Sequence, residues 1–359
     1  MAKPSPSRQA AGDTCFFGSQ IGGRSSTSYA YTDLPWRLMV RDVFLFLSCA
    51  WSIPYLFWPI TPTDPAELSE LDPTWANFHA VAIHIVLCAL HLYALISLPL
   101  LFPLPVWAAA ALVIGFLLVN KAICSFIDGH QVEFHSDPKY APALPEHAHE
   151  QWIYINGVMV GSHWMQTNIN RLAVTFKRPI LGIHNKTSGL LLDILECLIQ
   201  RNWGYATRDV RFCYQIIKQK LYNPQYSKII FILHSQGGIQ GSLILDWLLQ
   251  ETPQDLLAKL EIYTFGNAAS HFNNPHRSAK TETLARNNAL AASTDDIQLA
   301  SAGHLRTSPL DSLTTTTAAA AAAHPCDPPT RAIRHIEHYA HARDFVALWG
   351  HPPKRPPQI

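Results

Sequence analysis

The sequence predicts an α/β fold, a mostly parallel sheet flanked by helices, preceded by an N-terminal hydrophobic helical region. Three observations lead there. From about residue 151 onward, short apolar runs alternate with stretches of helical length, the pattern that builds parallel strands joined by right-handed crossovers. The run Lys228-Ile229-Ile230-Phe231-Ile232-Leu233 is almost wholly apolar and rich in β-branched residues, as a strand covered on both faces must be. Hydrophobic residues make up 48% and charged residues 15% of the 359, where a soluble chain carries about a quarter charged. Some apolar surface is therefore expected to face lipid.

Taken in order, residues 1–35 are rich in Ser, Gly, Ala and Thr without apolar periodicity and are expected to be disordered. They lack the apolar core of a cleaved secretory signal. Residues 36–127 read as hydrophobic helices. The stretch 43–60 is a marginal span, interrupted by Pro54 and Pro59, whereas 80–102 is long enough at about 1.5 Å per residue to cross a layer of roughly 30 Å. Residues 106–119 continue apolar, Lys121 is placed to snorkel, and Phe102-Pro103-Leu104-Pro105 joins the two as a hairpin. Insertion into an intracellular membrane is the leading reading, and a buried cap on the following domain is the alternative. Arg37 and Arg41, set against Asp64, Glu67, Glu70 and Asp72, favour a cytosolic N-terminus. Two spans keep the next domain on that side and three carry it across.

Residues 128–150, polar with several prolines and histidines, read as a linker. The α/β domain is expected at 151–350, with strands near 152–155, 179–183, 228–233 and 261–265. Helices are expected near 164–176, 189–200, 207–221 and 237–250, with a short one near 253–260. Residues 276–330, with a Thr run at 314–317 and an Ala run at 318–323, read as a disordered insertion. Order resumes at 333–349, and 351–359 is a Pro-rich tail.

Composition also narrows the partners. A formal net charge of +1 without a Lys/Arg run leaves nothing to displace counterions from phosphates, so nucleic acid is not an expected partner. The seven cysteines are scattered without paired spacing and read as free thiols in a reducing compartment. The histidines show no metal-ligand spacing, so neither metal nor organic cofactor is expected.

The chemistry centres on His234-Ser235-Gln236-Gly237-Gly238, directly after the strongest strand and before an amphipathic helix. A tight strand-to-helix turn forces a serine into a strained conformation and lifts its Oγ above the sheet, while small residues relieve crowding. Gln236 N–H then points at the place where an oxyanion develops, at the positive end of a helix. Leu233 stands where the G-x-S-x-G pattern has its first glycine. A Gly-rich turn with a capping serine is the plainer reading of the same residues. The adjacent His234 is expected to pack or bond locally, since neighbouring side chains diverge at such a turn.

These residues resemble the nucleophile elbow of lipase-like and serine-esterase members of the α/β-hydrolase superfamily. With Ile155-Asn156-Gly157-Val158, Gly182-Ile183-His184-Asn185-Lys186-Thr187, Tyr263-Thr264-Phe265-Gly266-Asn267-Ala268-Ala269 and His271-Phe272-Asn273-Asn274-Pro275, the chain is similar to a group of fungal members over roughly 151–275 and 331–350. The resemblance implies Ser235 as nucleophile, Val158 N–H as the second oxyanion donor and Asp344 as the acid, with Asp246 a weaker choice. Asn156-Gly157 as a plain turn, and Asp344 as a helix cap or partner of Arg343, are the structural alternatives. The superfamily's base follows the acid in sequence. Only His351 does so here, and the true histidine is expected in sequence beyond Ile359. The expected activity is hydrolysis of an ester, with a lipid or other apolar acyl substrate supplied by the membrane as the leading choice. A catalytically inactive, membrane-bound binding or scaffold protein of the same fold is the alternative. Asn185-Lys186-Thr187 is formally a glycosylation sequon, discounted because it follows a buried strand.

Overall fold

The computed structural model describes residues 33–56, 66–70, 72–275, 331–341 and 343–350. The stretch expected to be disordered up to residue 32, the insertion at 276–330 and the tail lie outside the described residues. Six strands form one sheet: β1 Glu133–His135, β2 Glu150–Ile155, β3 Ile180–Ile183, β4 Lys228–His234, β5 Leu260–Phe265 and β6 His335–Tyr339. Their spatial order is β1-β3-β2-β4-β5-β6. β1 is antiparallel to β3, and every other neighbouring pair is parallel.

Strand pleat divides the core in two. Ile229, Phe231 and Leu233 of β4 point to one face, where they meet Ile217 and Leu221 of α6 (Arg208–Tyr222) and Ile244 and Leu248 of α7 (Gln236–Glu251). Ile230 and Ile232 point to the other, against Met165, Ile169 and Ala173 of α4 (Ser162–Phe176). A side chain at Gly182 would come within 2.2 Å of Met165 Cε, so α4 lies this close to β3 only because glycine stands there. α5 (Leu190–Trp203), the short α8 (Gln254–Leu257) and α9 (Phe345–Gly350) complete the domain.

The stretch 128–150 is more than a linker, because β1 lies within it and pairs Phe134 with Gly182 on the sheet edge. Three residues are too few to carry a readable alternation. Towards the N-terminus lie α1 (Pro35–Cys49), α2 (Trp75–Ser97) and α3 (Val106–Asp128). Among the described residues three helices are long and apolar enough to cross a membrane: Pro35–Tyr55, Trp75–Leu101 and Val106–Asp128. The first begins upstream of the expected marginal span and runs through a 3-10 segment that holds Pro54. Large apolar side chains on all three are exposed, among them Phe44, Trp51, Ile85, Ile96, Leu118 and Phe126.

These helices meet the α/β domain through apolar packing, with Met39 and Phe46 of α1 against Trp349, and through specific polar contacts. Asp42 in α1 is buried against Arg201 Nε at 3.1 Å and accepts from Asn202 Nδ2 at 2.8 Å. His91 Nε2 donates to Asn120 Oδ1 at 2.8 Å, and Asn120 Nδ2 donates to Ser188 O at 3.0 Å, tying the α2/α3 hairpin to the loop after β3.

Candidate functional site

The sheet order itself marks a place for a ligand. β3 lies on one side of β2 and β4 on the other, so the chains leaving β2 and β4 diverge at their carboxyl ends, the switch point at which open α/β sheets have their ligand crevice. Ser235 stands at the end of β4, and Gly157 lies just beyond β2. The two meet there: a side chain built on Gly157 would lie 2.6 Å from Ser235 Cβ and 3.1 Å from its Oγ. Glycine at 157 is therefore a steric requirement of the crevice as well as a turn.

Ser235 has φ 54° and ψ −117°, a conformation that L-residues with a side chain avoid and that costs on the order of 1–3 kcal/mol. It persists because its backbone is held on each side. Ser235 N donates to Phe265 O at 3.1 Å, while its carbonyl accepts from Gly238 N at 2.9 Å and Ala268 N at 3.3 Å. Side chains at Gly237 and Gly238 would run into Ile155 O at 2.8 Å and Asn267 Oδ1 at 2.0 Å, so both glycines let α7 press down on the sheet. Ser235 is 7% exposed. Among the described residues its Oγ makes no hydrogen bond, and it is not sealed from solvent.

Gln236 follows Ser235 directly and Val158 follows Gly157, and among the described residues neither of their amides has a hydrogen-bond acceptor. Val158 packs in an apolar cluster with Ile239, Ala268 and Trp349, which Met39 and Phe46 of α1 also join. Asp344 lies past β6 on the same sheet edge, its Oδ2 2.7 Å from where a Gly266 side chain would begin. Its Oδ1 accepts from Val346 N at 3.0 Å, so it also caps α9. Arg343 lies instead over the ring of Tyr55. Asp246 is not part of the crevice; it bonds His271 Nε2 at 3.2 Å and Asn273 Nδ2 at 2.7 Å, and so fixes the loop after β5.

His234 packs locally, its Nδ1 3.3 Å from where a Gly157 side chain would begin. Its ring reaches solvent and, among the described residues, makes no hydrogen bond. Desolvation by the surrounding protein lowers its pKa, against an upward pull from Glu70 and Asp344. No histidine among the described residues hydrogen-bonds Ser235 Oγ; His338, on β6, lies 2.7 Å through Nδ1 from Thr264 Oγ1. His351 lies outside the described residues.

Beneath the crevice is a buried polar layer that the sequence reading did not assign. Asn156, Asn185, Gln236 and Gln240 are all buried; the side chains of Gln236 and Gln240 bond that of Asn185, and the Asn156 side chain bonds the Asn185 backbone. Gln236 Nε2 reaches Glu196 Oε1 at 3.2 Å and Gln200 Oε1 at 3.3 Å. Burial, together with the charges of Asp193 and Asp209, pushes the Glu196 carboxyl up to about 7. Asp193 is raised too, chiefly by burial, and accepts from Met159 N at 3.0 Å and Thr187 Oγ1 at 2.6 Å. A signal for these residues exists in the sequence. Asp193, Glu196 and Gln200 recur at helical spacing on the same stripe of α5 as Cys197, so polar groups there point inward. Glu70, whose charge reaches His234 and His163, carried no such signal.

Two cavities lie elsewhere among the described residues. One of about 100 Å³ sits between His84, Ile127 and Trp164. The other, about 440 Å³, is lined by Trp152, Arg178 and Tyr226 at the opposite, amino edge of the sheet. No family model, curated protein or solved structure matches this chain.

Proposed function

We propose that this protein is a membrane-associated serine hydrolase of the α/β-hydrolase type, acting on an ester of a lipid or other apolar acyl group. The observation that carries the reading is Ser235 itself: a non-glycine residue with φ 54°, between the central strand and a helix, covered by Gly157 at the topological switch. Strain of this kind persists where function needs it. Ser235 Oγ attacks the ester carbonyl, the Gln236 and Val158 amides receive the oxyanion, and Asp344 orients the histidine that takes the proton. The alcohol leaves with that proton, and water then attacks the acyl-serine, releasing the acid and restoring the Ser235 hydroxyl. The exposed apolar faces of α1 to α3 support a membrane as the source of substrate.

Purified full-length protein in detergent micelles should hydrolyse p-nitrophenyl acyl esters, and Ser235→Ala should abolish this turnover. Turnover that survives the substitution contradicts the reading. A second reading, a membrane-bound binding or scaffold protein on the same fold, is favoured by one observation: no histidine hydrogen-bonds Ser235 Oγ among the described residues. Loss of the base removes most of the rate of such an enzyme, so the absence of Ser235-dependent turnover selects this second reading.

A further inference from the structure

We propose that Asn185 is a positioning residue that fixes the distance between the two oxyanion donors. The proposal rests on the reading of Ser235 as nucleophile. The two amides belong to different segments: Val158 to the loop after β2, Gln236 to the first turn of α7. Donors act on an oxyanion only when each sits about 2.7–3.1 Å from it, so the two segments need a rigid link between them.

Asn185, two residues past β3, bonds to both. Its backbone N–H donates to Asn156 Oδ1 at 2.8 Å, and its carbonyl accepts from Asn156 Nδ2 at 2.8 Å. Asn156 Nδ2 also donates to Gly157 O at 2.9 Å, one residue before Val158. On the other side, Asn185 Nδ2 donates to Gln236 Oε1 at 2.7 Å, and its Oδ1 accepts from Gln240 Nε2 at 2.7 Å. Asn185 is 4% exposed, and its amide and carbonyl groups are all engaged, so a glycan cannot sit on it in the folded chain.

A second anchor holds the same loop from below. Asp193 accepts from the N–H of Met159, a residue with φ 62° directly after Val158, and from Ser188 N at 2.7 Å in the segment that carries Asn185. His184 Nε2 donates to Val160 O at 2.7 Å. The β3 loop thus clamps both ends of the Val158 segment, while Asn185 alone reaches across to the elbow helix. A solely structural role for this residue predicts lost stability; a positioning role predicts a slower chemical step with unchanged binding.

The test is fluorophosphonate labelling of the full-length protein in micelles, in which Ser235 Oγ displaces fluoride from phosphorus, resolved into a non-covalent inhibition constant and a phosphonylation rate constant. Asn185→Ala should lower the phosphonylation rate constant roughly 10–100-fold and leave the inhibition constant within about twofold. Amide exchange at 156–159 and 235–238 should accelerate while β4 stays protected. Wild-type phosphonylation in this variant overturns the positioning role and leaves Ser235 as nucleophile. Absence of any Ser235-dependent adduct in the wild type overturns both. Should Asn185→Ala lose exchange protection throughout the sheet, Gln240→Leu decides: slower phosphonylation at constant inhibition constant upholds the proposal, and unchanged phosphonylation overturns it.

Discussion

Ser235 is held in a conformation that suits glycine better than serine, and this separates its contribution to stability from its contribution to chemistry. Ser235→Gly relieves a cost of about 1–3 kcal/mol and incurs roughly 0.5–1 kcal/mol of added unfolded-state entropy. Chemical denaturation should therefore show the variant more stable by about 1 kcal/mol, with hydrolysis abolished. A variant less stable than wild type contradicts the strain argument. Glu196 gives a second prediction at this scale. Its folded pKa, raised from 4.5 to about 7, means that the folded state binds the extra proton between those values, so stability falls as pH rises through that window. Asp193 and Asp209, both raised chiefly by burial, act in the same sense. Glu196→Gln keeps an oxygen to accept from Gln200 and Gln236 and removes the half-buried charge. It should raise the melting temperature at pH 8 and flatten the fall between pH 5 and 7, as read by thermal scans; an unchanged pH profile contradicts the shift.

Between elements, two contacts decide whether the crevice forms and whether the N-terminal helices stay docked. Gly157→Ala places a methyl 2.6 Å from Ser235 Cβ, and backbone cannot yield there without moving β2 or α7. Ester turnover should fall at least 100-fold, the scale of a reacting group displaced by about 1 Å; turnover within twofold of wild type would show that the loop is free to move. Arg201 joins α1 to the domain through Asp42, stacks on Trp349 and donates to Ala268 O at 3.1 Å and Trp349 O at 3.0 Å. Arg201→Met leaves the Asp42 carboxylate buried without its cation and should cost about 3–5 kcal/mol in denaturation experiments. Adding Asp42→Leu should restore much of that loss.

The elements differed in how well the sequence announced them. β4 was legible because five buried residues in a row suit only a strand covered on both faces, and the helix after Ser235 because its apolar positions recur at helical spacing. β1 was not, since its place depends on pairing with β3, a contact remote in sequence. Ser235 could be found from its strand and helix, whereas Asn185 resembled a sequon because its role lies in the partners it meets in three dimensions.

At the scale of the molecule, α5 touches both α1 and α2 and carries Asp193 and Glu196 on its inner stripe. The carboxyl edge of the sheet is thus built against the apolar helices, which under the proposed function sets Ser235 beside its acyl source. The full-length protein should stay in the membrane pellet through alkaline carbonate extraction; release into the supernatant contradicts insertion and favours peripheral docking. Mapping the site of fluorophosphonate attachment by tandem mass spectrometry decides whether the serine at the β2/β4 switch is activated. One adduct is expected, on Ser235, lost in Ser235→Ala and Gly157→Ala. An adduct on any other residue, or none on the intact protein, would contradict an activated Ser235.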